Sequence, residues 1–131
     1  MSLDGLSGPH RWSLLLPKDV PASRTARSAV HEWLRGVDQP TVDAARNIVT
    51  ELVSNAVHFG RPPIRLTVEQ RPAGLRIEVS DDGAGRPTHR RPGEQGGWGL
   101  EIVHKLADRH GLLPRDAGVW CELRTDQSRP S

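Results

Sequence analysis

Three short clusters hold the residue types that could do chemistry here. The first is Glu51-Leu52-Val53-Ser54-Asn55-Ala56-Val57-His58. On a helix turning roughly 100° per residue, Glu51, Asn55 and His58 fall within a band of about 60°. That band borders the apolar arc, beside Ile48, rather than opposing it. A carboxylate and a carboxamide one turn apart at the edge of a buried face can converge on one small polar site. The Asn55 oxygen is a neutral hard ligand that suits Mg²⁺, an ion that keeps its other positions for phosphate and water. Glu51 could orient or deprotonate a hydroxyl or a water. The same spacing also describes the solvated face of an ordinary amphipathic helix, which is the commoner case.

The second cluster is Asp81-Asp82-Gly83-Ala84-Gly85. Leu75, Ile77, Val79 and Asp81 share one parity of a strand, so Asp81 points toward the core and Asp82 away. A core-facing carboxylate is costly without a strong partner, and the exocyclic amine of a purine would satisfy it. Gly83 and Gly85 let the backbone pass close to a flat ligand. Taken alone, the cluster is equally an Asp-Gly turn. The third cluster, Gly96-Gly97-Trp98-Gly99-Leu100, opens a helix, and free N–H groups at a helix start form a phosphate site. It fits neither the Walker pattern nor a Rossmann fingerprint. The three in this order supply metal, purine and phosphate functions within one chain.

The elements that must position them follow from periodicity. Residues 11–16 read as a strand, Pro17 to Pro21 as a turn, and Ala22 to Arg35 as a helix stopped by Gly36. A second helix runs from an N-cap at Thr41 to Phe59, with Gly60 as its C-cap. Its apolar residues, from Val42 to Val57, cover nearly half its circumference, so it is deeply buried. Two alternating runs around Ile64–Val68 and Leu75–Val79 form a hairpin across Gln70 to Gly74. Residues 83–99 hold six glycines and two prolines and read as a loop long enough to have a role. A third helix, from Gly99 to His110, is ended by Gly111, and Leu112-Leu113 pairs with Val119 to Leu123 as a closing hairpin. The order β-α-α-β-β-loop-α-β-β implies an α+β layered fold.

Composition narrows the class. The 131 residues fit one domain, with flexible ends at 1–10 and 126–131 and a folded unit over 11–125. A net charge of +2 speaks against an obligate nucleic-acid binder or a membrane-surface patch. The single Cys121 excludes an internal disulfide framework and fits a reducing, cytoplasmic setting, and no run is apolar enough to span a membrane.

With these residues in place, the chain resembles the GHKL ATP-binding superfamily, which includes gyrase, the heat-shock chaperone, histidine kinases and the mismatch-repair ATPase. Glu51-x-x-x-Asn55 resembles the N box of that group. Asp81-x-Gly83-x-Gly85 resembles its first glycine box, and Gly97-x-Gly99-Leu100 its second. The small size and the short N-terminal strand and helix most resemble the stand-alone serine/threonine kinases that act as bacterial anti-sigma factors. The resemblance implies a Bergerat fold, a two-layer α+β sandwich with helices on one face of an antiparallel-dominated mixed sheet. It implies ATP and Mg²⁺ as cofactors, with Glu51 as general base and Asn55 as the metal-holding residue. Asp81 would accept from the adenine amine, Gly83 and Gly85 would shape the pocket floor, and residues 86–96 would form the ATP lid. Gly97, Gly99 and Leu100 would meet the phosphates.

The implied activity is transfer of the γ-phosphoryl group to a serine of an antagonist protein, with a sigma factor as the sequestered partner and a homodimer as the expected assembly. The alternative is a nucleotide-dependent binding module without useful transfer. Where many relatives carry a Gly-Thr pair entering the last strand, this chain has Ala117-Gly118-Val119-Trp120. His58 reads as a satisfied histidine on the polar face, and Cys121 as a strand residue.

Overall fold

The computed structural model describes residues 10–82 and 100–125, the side chains of Leu100 and Asp116 excepted. Both chain ends and the glycine-rich segment 83–99 lie outside the described residues. The elements run β1 (His10–Leu16), α1 (Ala22–Trp33), α2 (Gln39–Phe59), β2 (Ile64–Arg71), β3 (Gly74–Ser80), α3 (Leu100–Leu106), β4 (Arg109–Leu112) and β5 (Gly118–Arg124). The strands form one sheet in the order β1-β2-β3-β5-β4, with every pairing antiparallel. The expected order of elements and the two-layer α+β sandwich are both present.

Strand parity sets the two faces of the sheet. Leu66, Val68, Ile77, Val79, Val119 and Cys121 are buried against Val30, Ile48, Val49, Leu52, Val53 and Val103 of the helices. α2 is the central helix, touching α1, α3, β2, β3 and β5. The opposite face carries a ladder of alternating charge, Arg11, Glu69, Arg76, Glu122 and Arg109, one residue from each strand in register. Arg76 donates to Glu78 at 2.9 Å and to Glu122 at 3.1 Å, and its guanidinium lies 4.5 Å from the Trp120 ring. Among the described residues no helix is long and apolar enough to cross a membrane.

Two local readings are corrected. The cap of α2 is Asp38 rather than Thr41: its carboxylate accepts from Thr41 N at 3.0 Å and from Thr41 Oγ1 at 2.6 Å. Pro40 occupies the first turn, where its missing N–H costs nothing. The third helix ends at Leu106, and His110 and Gly111, expected on it and just past it, belong to β4. The stripe Val103, Leu106, Ala107, His110 has helical spacing, and pairing with the open edge of β5 overrides it from Arg109 onward. Asp108 N donates to Glu122 O at 2.9 Å, and the chain continues as an edge strand. His110 thereby comes to face His104 of α3. Burial and the nearby His104 lower the His110 pKa from its ordinary value.

Candidate functional site

The long run of apolar positions that buries α2 also fixes which of its polar residues meet the sheet. Asn55 is half-buried, because its neighbours Leu52 and Ala56 pack against β3 and β5. Asp81 follows β3 directly. Its N–H donates to Ala117 O at 2.9 Å, which extends the β3–β5 ladder one residue beyond the strand. The neighbouring Asp82 N–H donates to Arg61 O at 2.8 Å. Asp81 is half-buried and Asp82 exposed, as strand parity requires. Oδ1 of Asp81 is shielded from solvent.

Leu52, Asn55, Ala56, Val79, Asp81, Gly118 and Val119 line one narrow cleft with ≈ 240 Å³ of empty space, its mouth included. The cleft is an apolar slot into which one carboxylate and one carboxamide project. Two glycines make it possible. A Cβ on Gly60 would stand 2.5 Å from Asp81 Oδ2 and 2.8 Å from Ala56 O, so a side chain there would push the carboxylate from its place. A Cβ on Gly118 would collide with Val79 O, so glycine also permits the close approach of β5 to the end of β3.

Of the expected site residues, the fold brings Asn55 and Asp81 together. Glu51, one turn before Asn55, is exposed and is not among the residues lining the cleft. Leu100 is the first residue of α3. Gly83, Gly85, Gly97 and Gly99 lie outside the described residues, as do residues 86–96. His58 Nδ1–H donates to Ser54 O at 2.8 Å, a satisfied surface histidine as expected. Cys121 is fully buried on β5, and burial pushes its thiol up to about 12, so it is an inert strand residue.

Sequence reasoning missed Gly118 and Val119 as parts of the cleft, and Gly60 as the close neighbour of Asp81. Gly60 carried only a helix-stop signal, and no local pattern reveals that a distant carboxylate needs its missing side chain. Val119 stands in the segment read as a departure, and here it supplies an apolar wall.

The residue types in this narrow cleft suit a purine amine and a magnesium ion. Flat apolar walls from Leu52, Ala56, Val79 and Val119 suit a heterocycle, and the Asp81 carboxylate suits its amine donor. Among the described residues no group of three or more His, Cys, Asp or Glu could hold a metal by protein ligands alone. A single Asn oxygen sharing Mg²⁺ with phosphate and water needs no such group.

The comparisons with known proteins agree with this geometry. The family model of the histidine kinase-like ATPase domain matches residues 16–124. No curated protein matches the chain in sequence. Among solved structures, the RsbU and RsbW domains of Rv1364c from Mycobacterium tuberculosis align with a TM-score of 0.65 at 22% identity. That alignment covers 88% of this chain and 31% of the other, which makes it a likeness of fold. With the family pattern running from the end of β1 to the end of β5, the chain belongs to the histidine kinase-like ATPase domain family, within the GHKL superfamily that its motifs resemble.

Proposed function

We propose that the cleft between α2 and the ends of β3 and β5 binds ATP, and that the domain is a regulatory serine/threonine kinase of the anti-sigma type. The observation that carries this reading is the meeting of Asn55 and Asp81, far apart in sequence, in one apolar cleft. Membership of an ATPase family and a fold shared with a chain containing an RsbW domain support it.

In this reading Asp81 accepts from the adenine amine, a discriminating contact because the carboxylate is held between apolar walls. Gly83 and Gly85 shape the floor, and the backbone N–H groups of Gly97, Gly99 and Leu100 meet the phosphates. Mg²⁺, when bound, neutralises charge on the phosphate oxygens, and Asn55 is the residue that holds it. Glu51 takes the proton of the serine hydroxyl as its oxygen bonds to the γ-phosphorus and the bond to the bridging oxygen breaks. The exposure of Glu51, one turn before Asn55, suits a base that must reach a hydroxyl on another protein. The serine belongs to an antagonist protein, and the sequestered partner is a sigma factor held by a homodimer of this domain.

A second reading, a nucleotide-dependent binding module, draws on the same position of Glu51 outside the cleft lining. Two measurements separate them. Calorimetric titration with ATP gives one site per chain with Mg²⁺ dependence, and Asn55→Ala removes that dependence. Glu51→Ala leaves ATP affinity within a few-fold but lowers transfer of labelled γ-phosphate to proteins of a dephosphorylated host lysate by about 100-fold or more. Transfer unchanged in Glu51→Ala, or absent from the wild type, leaves the binding module. No ATP binding at millimolar concentration overturns both.

A further inference from the structure

Away from the cleft, one pair of side chains has the chemistry of a ligand set. His104 stands on α3 and His110 on β4. His110 Nε2 lies 3.3 Å from His104 Nδ1, and the rings meet edge to face with centroids 4.5 Å apart. His110 is in register with Cys121, on the helix-covered side of the edge strand, so the pair joins the helix layer to the rim of the sheet. His104 is exposed and His110 half-buried, which leaves the two nitrogens within reach of solvent ions.

The spacing of the pair suits two uses. In the metal-free protein the 3.3 Å contact is a long N–H···N hydrogen bond, donated by whichever ring carries the proton. Two nitrogens each about 2.0–2.1 Å from a tetrahedral ion stand about 3.3–3.4 Å apart. Imidazole nitrogen suits Zn²⁺, Cu²⁺ and Ni²⁺, not Mg²⁺. Among the described residues no third His, Cys, Asp or Glu completes a cluster with them. The remaining positions around an ion therefore fall to water, which makes the site open and exchangeable.

We propose that His104 and His110 form a two-histidine site for a Zn²⁺-class transition-metal ion that clamps α3 to β4. The site is separate from the ATP reading and selects a different kind of cation. Its structural effect is to tie the short helix α3 to the sheet edge at a second point besides the buried Val103.

The test is a titration of the full chain with ZnCl₂ in millimolar Mg²⁺, read by calorimetry, thermal unfolding and imidazole NMR resonances. The expected result is one Zn²⁺ per chain, a rise of several degrees in the unfolding midpoint, and perturbation of the His104 and His110 rings together. His104→Ala, a change at an exposed position that the fold tolerates, weakens binding by about 10-fold or more. His31→Ala, on the exposed side of α1, leaves it intact. Absence of a Zn²⁺-dependent shift, persistence of binding in His104→Ala, or perturbation confined to other histidines overturns the site.

Discussion

The two ends of the β3–β5 pair are built alike and use charge differently. Each has a glycine where the strands crowd together: a Cβ on Gly118 would strike Val79 O, and one on Gly74 would strike Leu123 O. The Gly74 end has the larger hollow, ≈ 600 Å³ of empty space with its mouth, against ≈ 240 Å³ at the Gly118 end. Around the larger hollow the charges answer one another. Glu122 meets Arg76 at 3.1 Å, Arg71 at 3.3 Å and Arg109 at 3.4 Å, and Asp108 accepts from Arg124 N at 2.6 Å. The smaller cleft sets one carboxylate and one carboxamide among apolar walls, with no basic side chain among the described residues of its lining. A hydrogen bond made between apolar walls is electrostatically stronger than the same bond in open water. The chemistry of the lining, rather than size, sets the smaller cleft apart as the proposed site.

The largest effect expected from a single change is at Gly118. Gly118→Ala drives a methyl into the backbone of β3, and urea unfolding should show a loss of about 2–4 kcal/mol together with loss of nucleotide binding. Full stability in this variant would mean that the ends of the two strands are not tightly joined. Next is Asp81→Asn, which keeps the shape of the cleft and removes its charge. ATP affinity measured by calorimetry should fall about 10–100-fold, or about 1.5–3 kcal/mol. An unchanged affinity would erase the distinction between the two ends.

Cys121 lies between them on β5 and reports on burial alone. Its folded pKa is pushed up to about 12, chiefly by burial, whereas an unfolded thiol ionises near about 8.5. Below that pH the thiol is neutral in both states and stability does not change on its account. Above it the unfolded chain gains by ionising, and stability should fall by about 1.4 kcal/mol per pH unit until the folded thiol titrates too. Urea midpoints between about pH 8 and 11 measure this slope, and Cys121→Ala should remove it.

The smallest effect belongs to the far end. Glu122→Gln weakens three contacts to partly exposed arginines and should cost no more than about 1 kcal/mol. Nucleotide affinity should not change. A large loss of ATP binding in this variant would show that the two ends act as one.

Particular residues show how far the sequence could be read. Val42 to Ala56 on α2, Leu66 and Val68 on β2, and Ile77 and Val79 on β3 took the faces that their periods require. The inward parity of Asp81 was legible for the same reason. Residues 107–111 were misread as the end of a helix, because Leu106, Ala107 and His110 keep helical spacing and only the distant edge of β5 makes the chain an edge strand from Arg109. Asp38 was overlooked as the cap of α2 because Thr41, its hydrogen-bond partner, is itself a good capping residue.

The sequence by itself determined the order of elements, the buried face of each long element and the residue types of the three motifs. These follow from repeats of 2 and 3.6 residues and from the chemistry of single side chains, which are local properties. Only the tertiary structure decided that Asn55 and Asp81 share a cleft whose lining leaves out Glu51, and that a side chain at Gly60 would crowd Asp81. It also moved His110 from a helix to an edge strand facing His104. Such outcomes depend on which unsatisfied edge or cavity a distant segment meets, and no local period encodes that meeting.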